Sequence, residues 1–137
     1  MAKPTRPRDL EKTIQKSGIE ILQAEFPIKL FRRNVAGFTA EHNGKKRYIK
    51  CAEPGQADTY GWVKTTGQHI EIEWKRPGEV PTLAQYIWLQ ECHKTGAIAF
   101  WTKSVEFASI VLRGILHDTS YLDWSSGEWE LKIKGID

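Results

Sequence analysis

Residues 67–78, GQHIEIEWKRPG, restrict the fold more than any other stretch, because they set Glu71, Glu73 and Lys75 in alternation with Ile70, Ile72 and Trp74. A β-strand sends successive side chains to opposite faces, so this spacing predicts one charged face and one apolar face. A half-buried strand with a wet outer side accounts for the pattern. So does a strand whose charged face carries chemistry, and alternation alone does not separate the two.

The flanking sequence supplies the neighbours of that strand. DLEKTIQKSGIEILQAE, residues 9–25, spaces Leu10, Ile14, Ile21 and Leu22 as one helical stripe with Asp9 as N-cap, and Pro27 closes it. IKLFRRNVAGFTAEH then alternates loosely up to Asn43-Gly44, a strong hairpin turn, which leads into the basic strand KKRYIKCA. Pro54-Gly55 opens a loop, and DTYGWV and QHIEIEWK form a second hairpin around KTTG. After Pro77-Gly78, TLAQYIWLQECHKTG reads as a helix capped by Thr82 and ended by Gly96. AIAFWT is an apolar run of the kind found in strands buried on both faces, and SVEFASIVLRGIL is a further helix capped by Ser104. A Ser126-Gly127 turn and a last alternating strand, Trp129 to Lys134, end the chain. This order predicts an α/β or α+β fold with a mixed sheet.

At 137 residues the chain is most simply one domain, able to bury a core without disulfides or metals. Its 40% apolar and 27% charged residues are those of an ordinary soluble globular protein. No apolar stretch reads as a signal peptide or membrane span, so a cytoplasmic location is expected. Cys51 and Cys92 lack zinc or redox spacing and the four histidines are scattered, which argues against a zinc or disulfide framework and for inert thiols. The net charge of +3 says little, but its distribution says more. Basic residues gather at Lys3, Arg6 and Arg8, at Lys29, Arg32 and Arg33, and at Lys45, Lys46, Arg47 and Lys50. Each cluster alone reads as a solvated loop; together they are compatible with a nucleic-acid partner.

If the KTTG loop is even and centred between Thr65 and Thr66, Asp58 lies directly across from Glu73. Opposed residues on one face have Cβ atoms about 4.5–5.5 Å apart, so the two carboxylates repel unless something positive lies between them. Mg²⁺ meets that need, since it takes a few hard oxygen ligands and keeps positions for water and phosphate. Lys75, on the same face, would point toward the outer shell of such an ion. This acid, acid and lysine set is able to hydrolyse a phosphodiester. A surface ion-pair ladder explains Glu73 and Lys75 but not Asp58.

GQAD, then EWK, then PG and TLAQYIWLQECHKTG together resemble the VRR-NUC domain of the PD-(D/E)xK nuclease superfamily, whose motif runs G-x-x-D, E-x-K and a helix opening with S/T-x-x-Q. The matching positions here are Gly55 and Asp58, Glu73 and Lys75, and Thr82 and Gln85. EKTIQKSGIEIL resembles the family's first helix, led by Glu11, and FRRNVAGF its arginine-asparagine strand, so the likeness covers roughly residues 10–112. Residues 113–137 form a C-terminal extension outside it. The family usually has proline before the aspartate where this chain has Ala57, a change that loosens the loop but removes no ligand.

The resemblance implies a restriction-endonuclease-like central mixed β-sheet flanked by helices, dependence on Mg²⁺ or Mn²⁺, and cleavage of DNA, with branched or junction substrates or nicking among the family's activities. It also implies a homodimer and likeness to phage or prophage proteins, which would place the chain in the host cytoplasm. Asp58, Glu73, Lys75 and Gln85 become the expected catalytic residues, and Asp58, Glu73 and Glu11 the expected metal ligands. Arg32, Arg33, Asn34, Lys45, Lys46 and Arg47 become the expected DNA contacts. Glu11 equally suits a first-turn acid favoured by the helix dipole, and Gln85 equally suits a capping box with Thr82. Glu71 matches no ligand position and is expected to be peripheral. The extension, with Trp124 and Trp129, suits either a dimer surface or padding of the sheet. A non-catalytic DNA-binding or adaptor module on the same fold is the main alternative, and a small phosphate-ester hydrolase a further one.

Overall fold

The computed structural model describes residues 7–33, 38–49 and 53–136, with the side chains at 7–11 and 38 outside that description. Helix α1 spans Pro7–Glu25, so it begins two residues before the expected cap at Asp9, with proline at its first position, where a missing N–H costs nothing. Strand β1 (Ile28–Arg32) follows, then β2 (Phe38–His42) and β3 (Lys45–Ile49), β4 (Thr59–Val63) and β5 (His69–Trp74). Helix α2 (Leu83–Lys94), strand β6 (Ile98–Thr102), helix α3 (Val105–Leu116) and the short strands β7 (Ser120–Asp123) and β8 (Glu130–Ile133) complete the chain.

The central sheet has the order β1-β4-β5-β6, antiparallel except for the parallel β5–β6 pair. It is therefore mixed, with helices on both sides. A parallel pair needs a crossover, and α2 provides it. Ile70, Ile72 and Trp74 turn toward α1 and α3 and join Leu22, Ile28, Leu30, Ile98, Phe100, Val111 and Leu112 in the core. Gly18 lets α1 approach closely, since a Cβ there would meet the Trp74 ring at 2.5 Å. The opposite face of β5 meets α2. Its Glu71 and Glu73 are 0% and 1% exposed, so of the two readings of the alternating strand the one with a wet outer face does not hold.

The buried face of α1 also differs from the apolar stripe in sequence. Ile21 is 49% exposed, whereas Gln15 is buried and donates from Nε2 to Thr59 Oγ1 at 3.2 Å. Trp74 Nε1 donates to the same hydroxyl at 2.9 Å, so one buried threonine joins helix, β4 and β5. The β2–β3 hairpin forms its own two-stranded sheet across the Asn43-Gly44 turn, where φ values of 52° and 76° give the handedness a tight hairpin needs.

Candidate active site

The site is built on the β4–β5 hairpin. Thr59 pairs with Ile72, Tyr60 with Glu71 and Trp62 with His69, so the loop is even and the register carries Asp58 to Glu73. Asp58 lies just before β4. Its backbone N–H donates to Glu73 Oε2 at 3.0 Å, and the two carboxyl groups also meet side chain to side chain. Gly55 sets the approach of this loop: its φ is 83°, and a Cβ would meet the Ala84 carbonyl oxygen at 2.3 Å. Only glycine lets the chain take that conformation so close to the first turn of α2.

Lys75 Nζ lies 3.5 Å from Glu73 Oε1, and Gln85 Nε2 donates to the same oxygen at 3.0 Å. Gln85 Oε1 meanwhile accepts from the Thr82 N–H at 2.8 Å, and Thr82 Oγ1 accepts from the Gln85 N–H at 3.2 Å. The capping box and the contact with Glu73 are therefore one arrangement: the cap fixes the Gln85 rotamer that reaches the carboxylate.

Burial, and next the Asp58 charge, push the Glu73 carboxyl up to about 8. Asp58 moves the same way through burial, opposed by hydrogen bonds with Glu73 and the Trp74 backbone and by the positive charges of Lys75 and Arg32. Two buried acids that both resist ionisation are short of positive charge. Asp58 Oδ2 is buried and has no hydrogen-bond partner. An orphaned hard oxygen beside a second carboxylate suits Mg²⁺ or Mn²⁺, which one or two protein carboxylates hold together with water and phosphate. Among the described residues no group of three or more His, Cys, Asp or Glu side chains is placed to hold a metal. Glu11 lies within α1, but its side chain falls outside the description.

Glu71, expected to be peripheral, is instead the centre of a second buried cluster. Arg33 Nη1 donates to its Oε1 at 2.9 Å and Oε2 at 3.1 Å, and Trp88 Nε1 donates to Oε1 at 2.9 Å. Arg33 also donates to the Ala57 carbonyl at 3.0 Å, while its own backbone N–H donates to the Asp58 carbonyl at 2.6 Å. Its guanidinium lies 4.5 Å from the centre of the Tyr60 ring. Arg33 thus grips both residues of the loop that presents Asp58, and its side chain faces Glu71 rather than an external phosphate. A signal for this existed in sequence: the helix between two parallel strands must cover one face of β5, and that face carries both glutamates.

Arg32, at the end of β1, is exposed, as are Lys45, Lys46 and Arg47 on β3. Within that hairpin Lys46 faces Glu41, whereas Lys45 and Arg47 face His42 and Ala40. Asn34 lies outside the described residues, and so does Cys51. Cys92 touches Glu71 Oε1 at 4.0 Å, and burial with that neighbour pushes its thiol up to about 12, which keeps it inert. No helix among the described residues is long and apolar enough to cross a membrane. No family model matches the chain, and comparison with characterised proteins gives no significant match.

Proposed function

We propose that this protein is a divalent-metal-dependent endodeoxyribonuclease on a PD-(D/E)xK fold of the VRR-NUC type, acting on branched or junction DNA or nicking duplex DNA. The observation that carries the reading is the meeting of Asp58 and Glu73, with Lys75 and Gln85 on Glu73 and Asp58 Oδ2 left without a partner. Mg²⁺ or Mn²⁺, held by Asp58 and Glu73, would supply polarisation of the phosphoryl oxygen and a more acidic water. Gln85 holds Glu73 Oε1 in one orientation, so the carboxylate does not reorganise during reaction. Lys75, 11% exposed in its side chain, presents a cation at the mouth of the site where negative charge grows on the phosphorane-like transition state. Arg32 and the Lys45, Lys46 and Arg47 strand give the polymer a basic approach. A homodimer placing two such sites on one branched substrate belongs to the same proposal.

The test uses supercoiled, forked, flapped and four-way DNA with Mg²⁺ or Mn²⁺. Wild type should cut at least one of these, EDTA should stop it, and Asp58→Ala, Glu73→Ala and Lys75→Ala should each reduce cutting by about 100-fold or more with circular dichroism unchanged. Undiminished cutting by Glu73→Ala sinks the site. Metal-independent binding without cutting by wild type would favour a DNA-binding module instead.

A further inference from the structure

A cavity of about 400 Å³ opens between α1 and the end of β1, lined by Lys12, Thr13, Lys16, Ile19, Glu20 and Arg32. Lys12 and Lys16 are one helical turn apart on the same face of α1, and Arg32 reaches the cavity from the sheet. Among the described lining residues three cations face one acid, Glu20, and all three are exposed. None of them forms an ion pair with a carboxylate among the described residues. The cavity lies on the α1 side of the sheet, opposite the side on which Glu73 meets α2, and the two approach each other at the end of β1, where the Arg32 charge acts on Asp58. Arg32 pairs with Thr59, the residue after Asp58, and the next residue, Arg33, donates its N–H to the Asp58 carbonyl. Gln15, between Lys12 and Lys16 in sequence, is bonded to that same Thr59.

Cations lining a nucleotide-sized hollow suit a phosphate carried on a sugar. Ile19 offers the apolar contact a deoxyribose needs. Resting on the endonuclease reading, we propose that the α1–β1 cavity is a phosphate subsite for the DNA strand being cut, holding a phosphodiester next to the one at Asp58 and Glu73 through Lys12, Lys16 and Arg32. Lys12 and Lys16 are then backbone-positioning residues with no sequence preference.

The experiment measures binding of a fluorescein-labelled duplex and a labelled four-way junction by anisotropy, with EDTA present so that no cutting occurs, across a series of salt concentrations. The full chain is compared with a Lys12→Ala/Lys16→Ala double variant and with Lys94→Ala, an exposed lysine at the far end of α2. The double variant should bind about tenfold more weakly and lower the slope of log affinity against log salt by about 1, for the one phosphate no longer neutralised. Lys94→Ala should match wild type. An unchanged slope in the double variant overturns the subsite even where the endonuclease reading stands, because cutting by wild type is scored separately with metal. Absence of DNA binding by wild type in EDTA overturns the subsite, while the endonuclease reading stands or falls on cutting with metal. Displacement of the duplex by inorganic phosphate or a nucleoside monophosphate at equal phosphate concentration assigns the cavity to a small phosphate and also overturns the proposal.

Discussion

The two glutamates of β5 show how little a residue's type says about its role without its neighbours. Glu73 faces another acid, and Glu71 faces an arginine. For Glu73 the consequence is a pH-dependent fold. A carboxyl held at about 8 in the folded chain, against an ordinary value of 4.5, binds its proton more tightly when folded. Its contribution to stability is therefore fully present below about 4.5 and is lost as pH rises through about 8. Asp58 acts in the same direction. Scanning calorimetry of metal-free protein should show the midpoint falling across that window, with each kcal/mol worth roughly 3–5 °C at this size. Glu73→Gln should flatten the fall, because the amide does not titrate. Mg²⁺ or Mn²⁺ should raise the midpoint most at the alkaline end, where the ion no longer competes with the proton on Glu73. A wild-type midpoint indifferent to pH would remove the physical basis for placing a cation there.

Between elements, the decisive contact is Arg33. It joins the end of β1 to β5 through Glu71 and to the loop before β4 through the Ala57 and Asp58 carbonyls. Removing one partner of a buried ion pair leaves the other charge without compensation and costs about 3–5 kcal/mol. Arg33→Ala should lose an amount in that range in urea unfolding, whereas Glu71→Gln, which stays an acceptor for Arg33 and Trp88, should lose less. Equal losses would mean that the charge pair alone holds the loop and that the packing of Arg33 against Tyr60 adds nothing to it. The hairpins were legible in sequence, because turn chemistry and an even loop fix register: Asn43-Gly44 and KTTG both form as spaced. The capped starts of α2 and α3 were legible for the same local reason. The buried face of α1 was not, since Gln15 and Gly18 matter through a partner threonine and a tryptophan ring that only tertiary packing brings. Nor was β7, whose four residues are too short to show a period. In the site, Asp58, Glu73, Lys75 and Gln85 followed from spacing and resemblance, while Arg33 and Glu71 depended on which helix covers the strand.

At the scale of the whole molecule the C-terminal extension settles what happens at the sheet's open side. β6 is the last strand of its sheet, and its even-numbered residues bond toward β5, as Thr102 does in accepting the Lys75 N–H. The carbonyls of Ala99 and Trp101 therefore point outward, where an unpaired edge invites another chain. Trp124 Nε1 donates to the first at 2.9 Å and Trp129 Nε1 to the second at 3.0 Å. Glu128 ties this cover down, accepting from Tyr86 Oη at 2.8 Å and from Trp101 Nε1 at 2.9 Å. Of the two roles open to the extension, padding of the sheet is the one these indoles perform. A Trp124→Phe/Trp129→Phe variant keeps an aromatic ring at each position but loses both donors and part of the packed area, and it strands the carbonyl of Ala99, a fully buried residue. It should unfold in urea with a loss of about 2–4 kcal/mol, from one to two for each abandoned carbonyl. It should also associate at lower concentration in sedimentation velocity, since the β6 edge becomes able to accept a strand. A loss below about 0.5 kcal/mol, the level of an ordinary surface change, would show that the rings cover the edge by packing alone and that the two indole N–H groups add nothing to it.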